Sequence, residues 1–89
     1  MAGPAPYRST PVFDEQTLPA ALRADHSTKA GVWGVIRVLE GRLRLELLDS
    51  GSERILTADE PGVVLPEQRH RVTPLGTMRM RVEFYTERP

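Results

Sequence analysis

Two histidines are the residues best able to do chemistry in this 89-residue sequence, which contains no cysteine. His26 precedes the first long apolar run, and His70 follows a proline-containing turn. Neutral imidazole is a good ligand for zinc, iron, nickel or copper ions. Because one chain offers only two imidazoles, carboxylates and water would have to complete the coordination shell, which favours an open, exchangeable site. The alternative is that both histidines are hydrogen-bonded residues with a structural role at the rim of the fold.

A carboxylate would complete a site of two histidines and one acid with open positions, the arrangement of non-haem iron enzymes. Glu67 is the first candidate, because it precedes His70 by three residues on the same turn. A solvated loop glutamate is the alternative for this residue. Glu83 is the second candidate, but its strand face also carries Arg79 and Arg81, which favours cross-strand ion pairs.

Other side chains could line a binding pocket near the histidines. Lys29 could hold an anionic ligand, or it could be a solvated loop lysine. Trp33 and Tyr85 could lie against a ligand, although aromatic residues in a domain of this size more often pack in the core.

The overall charge and hydropathy exclude several classes of function. Twelve basic residues balance twelve acidic ones, which argues against nonspecific binding of nucleic acid or anionic membranes. No apolar run approaches the roughly 20 residues that span a bilayer, and the first residues lack the apolar stretch of a signal peptide. We therefore expect a cytoplasmic protein.

Eight prolines and seven glycines divide the chain into short segments, which is typical of an all-β domain. Strict alternation of apolar and polar residues predicts strands over Arg42–Leu47 and Thr77–Thr86. Their inward side chains are predicted to be Leu43, Leu45, Met80, Val82 and Phe84. Shorter strands are predicted over Val32–Leu39, Arg54–Thr57, Val63–Leu65 and His70–Thr73, with a helical turn over Pro19–Arg23. Residues 1–11 read as an extended arm, and roughly seven strands would build a sandwich or small barrel from residues 12–89.

Several sequence motifs together are similar to a known family. Val38–Leu43 resembles the first conserved hairpin of cupins, and Asp59–His70 resembles their second motif. More narrowly, His26–Gly34 and Val82–Tyr85 resemble the small cupin family associated with tellurite resistance, whose members stand alone or precede the methyltransferase of tellurite-resistance protein B. The resemblance implies a single-domain cupin over residues 12–89, which is a double-stranded β-helix or jelly-roll barrel. The second histidine and the glutamate of the general cupin pattern fall near Lys29 and Gly34, which excludes a complete cupin metal site.

These observations lead to an expected function. The chain is expected to be a cupin that binds a divalent metal ion (zinc, iron or nickel) in the barrel mouth through His26, His70 and Glu67. It would act on or sense a small molecule or oxyanion, in connection with tellurite or oxidative stress. The alternative is a metal-free, non-enzymatic ligand-binding module or structural dimer, and whether the protein is an enzyme stays open. A homodimer is expected because small jelly rolls leave strand edges that need covering.

Overall fold

The structure is a computed structural model that describes residues 3–89 of the chain. Over this range it forms eight β-strands and one 3₁₀ helix, and no α-helix. No helix among these residues is long and apolar enough to cross a membrane. The elements in chain order are β1 (Arg8–Ser9), β2 (Phe13–Asp14), the 3₁₀ helix (Ala20–Arg23), β3 (Trp33–Glu40), β4 (Leu43–Leu47), β5 (Ser52–Leu56), β6 (Gly62–Val64), β7 (His70–Pro74) and β8 (Arg79–Tyr85).

All strand pairs are antiparallel, and they form two sheets. In the first sheet β8 lies between β3 and the two short N-terminal strands, and β6 forms the far edge beside β3. In the second sheet β4 lies between β5 and β7. The predicted all-β class is therefore confirmed, and each strand predicted from residue 32 onward is present with its bounds shifted by at most two residues.

The predicted closed jelly-roll barrel is not shown. No strand ladder within residues 3–89 joins one sheet to the other. β6 has only three residues and ends at Val64, two residues before Pro66. Proline has no N–H to donate, and the turn closed by the N–H of Gln68 on the carbonyl of Leu65 at 3.1 Å directs the chain away from the sheet, so β6 ends here. The described part of the chain is thus a pair of packed sheets with open edges.

The alternating strands place their apolar side chains between the sheets, as the sequence predicts. Leu43, Leu45, Met80 and Val82 are buried there, and His70 and Val72 on β7 point to the same side. Phe84 differs from the prediction, because it is only half-buried and lies at one end of the core. The core therefore leaves one end of the intersheet space incompletely filled.

The N-terminal segment forms part of the first sheet. Arg8 and Ser9 pair with Phe84 and Glu83, and Val82 N–H donates to the hydroxyl of Thr10 at 3.0 Å. Of the predicted extended arm over residues 1–11, residues 1 and 2 lie outside the described range. The segment brings its side chains against one end of β8, next to the open end of the core.

Candidate functional site

The two histidines lie directly opposite each other. The N–H of His26 donates to the carbonyl of His70 at 2.9 Å, and the N–H of His70 donates back at 2.8 Å. Residues that exchange both bonds in this way present their side chains on the same face, and the two ring centroids are 5.5 Å apart with an interplanar angle of 79°. Arg69 also forms an ion pair with Asp25, which ties the segment before His26 to the start of β7. The structure therefore brings together the two side chains that the sequence predicts to share one site.

His70 carries a nitrogen lone pair. His70 is only 5% exposed, and its Nδ1 is 3.0 Å from the carbonyl oxygen of Gln68. Because a carbonyl only accepts, Nδ1 carries the proton and Nε2 of the neutral ring is an acceptor. Burial lowers the pKa of His70 below 6.5, and the neighbouring His26 lowers it further, which outweighs the opposing effects of the Gln68 carbonyl and Asp25. His70 is thus held neutral at physiological pH.

The second nitrogen of His70 is available to a ligand. No hydrogen bond from residues 3–89 involves Nε2 of His70. No side-chain nitrogen or oxygen that is fully buried in this range lacks a partner, so Nε2 is not sealed from its surroundings. A neutral acceptor in this position can take a hydrogen bond, or a proton, from a bound molecule.

A small cavity of about 40 Å³ lies between the sheets beside the two rings. We call it the inner cavity. Except for the imidazoles and two threonine hydroxyls, its wall is apolar and comes from both sheets and from the 3₁₀ helix. The lining residues are Thr10, Leu22, His26, Thr28, Gly34, Ile36, Val64, His70, Val72, Met80, Val82 and Phe84.

A more open and more polar space of about 200 Å³ adjoins the inner cavity, and we call it the outer groove. Its lining residues are Tyr7, Arg8, His26, Ser27, Thr28, Lys29, Val32 and Phe84. Three of them, His26, Thr28 and Phe84, also line the inner cavity. The two spaces therefore meet at these side chains.

Glu67 occupies a turn beside the groove. The N–H of Gln68 donates to the carbonyl of Leu65 at 3.1 Å, and Glu67 has a φ of 61°. Pro66 before a residue of positive φ is the pattern of a type II turn, in which that position normally belongs to glycine or asparagine. The N–H of Glu67 donates to the Thr28 hydroxyl at 3.3 Å, and the side chain is exposed. The structure thus places the predicted third metal ligand on an exposed turn next to Thr28.

The three remaining sequence candidates other than Lys29 line neither space. The guanidinium of Arg88 lies over the ring of Trp33, 5.2 Å from its centroid. Glu83 and Tyr85 lie on the outer face of β8, where the Tyr85 hydroxyl donates to Oε1 of Glu83 at 3.0 Å. Of the four pocket candidates, the structure brings only Lys29 to the site.

Glu83 belongs to an ion-pair cluster. Arg37 Nε donates to its Oε1 at 3.0 Å, and Arg81 contacts its Oε2 at 3.1 Å. Burial alone would raise the pKa of Glu83, but hydrogen bonds from Arg37, Tyr85 and Arg81 outweigh burial, so the pKa is lowered. The ionised carboxylate of Glu83 therefore accepts hydrogen bonds from Arg37 on β3 and from Arg81 and Tyr85 on β8, and the bond to Arg37 links the two strands.

Sequence reasoning missed two residues at the site, Arg8 and Thr28. Thr28 follows His26 by two positions, and side chains two apart in an extended segment point to the same side. That spacing could have identified it. Arg8 gave no comparable signal, because it reaches the groove only through the pairing of β1 with β8.

The chain is similar to a known domain family and to proteins that contain it. The model of the TehB-like domain matches residues 8–82. The probable S-adenosyl-L-methionine-dependent methyltransferase TehB of Haemophilus influenzae Rd is 33% identical over 88 residues, which cover 92% of this chain and 31% of that protein. The same protein of strain 10810 is 32% identical over the same shares. The chain thus spans about a third of the length of these curated relatives.

Two solved structures are similar to this one. The crystal structure of TehB from Haemophilus influenzae has a TM-score of 0.81 and 34% identity, over 90% of this chain and 30% of that one. The crystal structure of an E. coli K12 protein has a TM-score of 0.79 over 94% of this chain and 91% of that one. At 24% identity, the second similarity concerns the fold alone.

These findings overturn three predictions. The metal-binding cupin function, the cupin and metal-binding descriptions, and the divalent metal cofactor are wrong, because the relatives are named as S-adenosylmethionine-dependent methyltransferases. The arrangement of the side chains gives a physical reason against the predicted metal site, because residues 3–89 contain no group of three histidine, cysteine, aspartate or glutamate residues that could hold a metal ion. The predicted link to the tellurite-resistance protein B family is confirmed, whereas its cupin label is not.

Proposed function

Because the chain belongs to the TehB-like domain family, we propose that it serves S-adenosylmethionine-dependent methylation by binding the small molecule that accepts the methyl group. The chain matches only 31% of the curated relatives' length. On this proposal the methyl donor is bound outside the matching region, and the residues of this chain hold the acceptor.

The size of the available space supports this division of roles. S-adenosylmethionine is as large as a typical drug, and pockets for such ligands have volumes of about 300–1,000 Å³. The inner cavity has about 40 Å³ and the outer groove about 200 Å³. The residues present therefore do not fit the methyl donor, and we assign no step of the transfer to this chain.

The observation that carries the proposal is the free Nε2 of His70 beside an otherwise apolar cavity. A water molecule needs about 10–15 Å³ on this scale, so the inner cavity takes a group of about three or four non-hydrogen atoms. The neutral imidazole would accept a hydrogen bond from the bound molecule and fix its orientation. His26, whose ring meets that of His70 edge to face, closes the polar side of the cavity.

The test replaces the matching region of Haemophilus influenzae TehB by this chain. The graft is compared with TehB from which the region has been deleted, and two quantities are measured: the Kd of S-adenosylmethionine, and methyl transfer from labelled S-adenosylmethionine to tellurite. We expect the deletion to lower transfer without changing the Kd, and the graft to restore transfer.

Two controls make the result specific. In the graft, His70→Gln should raise the KM of the acceptor, while Glu53→Gln on the exposed face of β5 should not. The isolated chain should bind no S-adenosylmethionine in a calorimetric titration. Binding of the methyl donor by the isolated chain, or full transfer by the deleted enzyme, would overturn the proposal.

A further inference from the structure

The outer groove concentrates positive charge on a chain whose total charge is zero. Arg8 and Lys29 line it, and none of its lining residues is an acid. Five other arginines of the described residues form ion pairs with carboxylates, whereas Arg8 and Lys29 form none within residues 3–89. Tyr7 and Ser27, which carry hydroxyl groups, line the same surface. The groove thus offers cationic and hydroxyl donors with no counter-charge of its own.

The inner cavity has the opposite character. Its deeper wall is made of aliphatic side chains from β3, β6, β7 and β8, among them Ile36, Val64 and Val72. Thr28 and Phe84 line both spaces, so a molecule bound in the groove lies within one side chain of the cavity.

From this arrangement we infer that the two spaces form one site for a small organic anion, with its anionic group in the outer groove and a compact apolar group in the inner cavity. The inference rests on the proposed function and names the class of its acceptor. Arg8 and Lys29 would bind the anionic group, since guanidinium and ammonium groups make strong charge-assisted hydrogen bonds to carboxylates. The cavity limits the apolar group to about three or four non-hydrogen atoms.

Three probes separate the two halves of the site. Isovalerate has both a carboxylate and a branched apolar group, acetate has essentially only the carboxylate, and 3-methylbutanol has the apolar group without the charge. The Kd of each is measured on the whole chain by ¹⁵N–¹H NMR titration. We expect isovalerate to bind at least about tenfold more tightly than either partial probe. Several buried methyl and methylene groups distinguish it from acetate, and its carboxylate distinguishes it from 3-methylbutanol.

A variant that fills the cavity tests its role directly. A Cβ on Gly34 would lie 3.6 Å from Thr28 Cγ2, 3.8 Å from Val64 Cβ and 3.9 Å from Val82 Cγ1, which are ordinary contacts. Gly34→Ala should therefore fold, and its methyl group takes up space inside the cavity. We expect it to weaken isovalerate binding about tenfold or more and to leave acetate binding unchanged. Gly3→Ala, which adds a methyl group in open space, is the matched control.

A second variant tests the groove. Lys29→Gln should weaken the binding of isovalerate and acetate alike and leave that of 3-methylbutanol unchanged, because only the first two carry a charge. Equal binding of all three probes, or isovalerate binding that neither variant alters, would overturn the inference. Tellurite that binds at least as tightly as isovalerate, with no effect of Gly34→Ala, would also overturn it while leaving the proposed function intact. The proposed function fails separately, through the result of the TehB graft.

Discussion

The buried ring of His70 makes the stability of this domain depend on pH. Its folded-state pKa lies below 6.5 because burial disfavours the charged ring. Between the folded-state pKa and 6.5 the unfolded chain binds more protons than the folded chain, so the free energy of unfolding falls as the pH drops through this window. The fall is at most about 1.4 kcal/mol per pH unit. Urea denaturation at several pH values between 5 and 8 should show it.

His70→Gln is the control for this prediction, since glutamine keeps polar atoms but does not titrate. In this variant the free energy of unfolding should depend much less on pH above pH 5. The carboxylates whose pKa values are lowered, such as Glu83, contribute only as they become protonated below about 4.5, and so leave this window undisturbed. A slope that persists unchanged in the variant would show that another group causes it.

Glu67 carries backbone strain. A residue other than glycine with a φ of 61° brings its Cβ close to the following carbonyl oxygen, at a cost of about 1–2 kcal/mol. Glu67→Gly should therefore raise the free energy of unfolding by about 0.5–1 kcal/mol, after the greater flexibility of glycine in the unfolded chain is subtracted. Glu67→Ala keeps the Cβ and removes the carboxylate, so it should give no gain. A gain in both variants would assign the effect to the side chain's charge instead.

The individual residues of the site could be predicted only in part from the sequence. The rarity of histidine in the sequence points to His26 and His70. Glu67 was selected by its distance from His70 along the chain, but the turn that begins at Pro66 gives it a conformation the spacing does not reveal. Arg8 depends on a contact between the two ends of the chain, and no local pattern encodes such a contact.

Among the elements, the turn between β3 and β4 tolerates no side chain at Gly41. Its φ is 72°, and a Cβ there would lie 2.2 Å from the carbonyl oxygen of Thr77. Gly51, in the turn between β4 and β5, has a φ of 74° with open space around it. Gly51→Ala should thus cost about 1–2 kcal/mol from conformation alone, and Gly41→Ala should cost clearly more, because the backbone of the facing segment must also move.

The comparison of these two variants by chemical denaturation tests whether the β3–β4 turn is packed against the start of β8. Equal losses of stability would mean that the neighbouring backbone relaxes at no cost. The larger loss at Gly41 would show that this turn fixes the position of the segment before β8, whose Met78 belongs to the core.

The elements themselves were largely predictable, for a physical reason. β4 and β8 alternate between apolar and charged residues, and only an extended chain with one wet face gives that pattern. Leu18 is buried although no periodic pattern includes it, because the turn after Asp14 directs it inward: the carbonyl of Asp14 accepts from the N–H of Leu18 at 3.0 Å. Barrel closure could not be deduced from strand patterns, since it depends on which edges pair.

At the scale of the whole molecule, one edge strand of each sheet shows how differently the edges resist pairing with another chain. β5, at the edge of the second sheet, exposes Glu53 and Arg54, and charged residues on an edge strand discourage pairing. β6, at the edge of the first sheet, exposes Val63 by 43%, and Leu65 directly after it is exposed by 46%. The homodimer expected from the sequence would therefore form through β6.

Replacement of one exposed residue on each edge tests this expectation. Val63→Lys should lower the dimer affinity, because it places a charge on the apolar edge that the second copy would cover. Ile55→Lys on β5 is the matched control, since Ile55 is 42% exposed and thus as accessible as Val63. Sedimentation velocity over a range of concentrations measures both. A chain that stays monomeric throughout, or a dimer that only Ile55→Lys dissociates, would contradict pairing through β6.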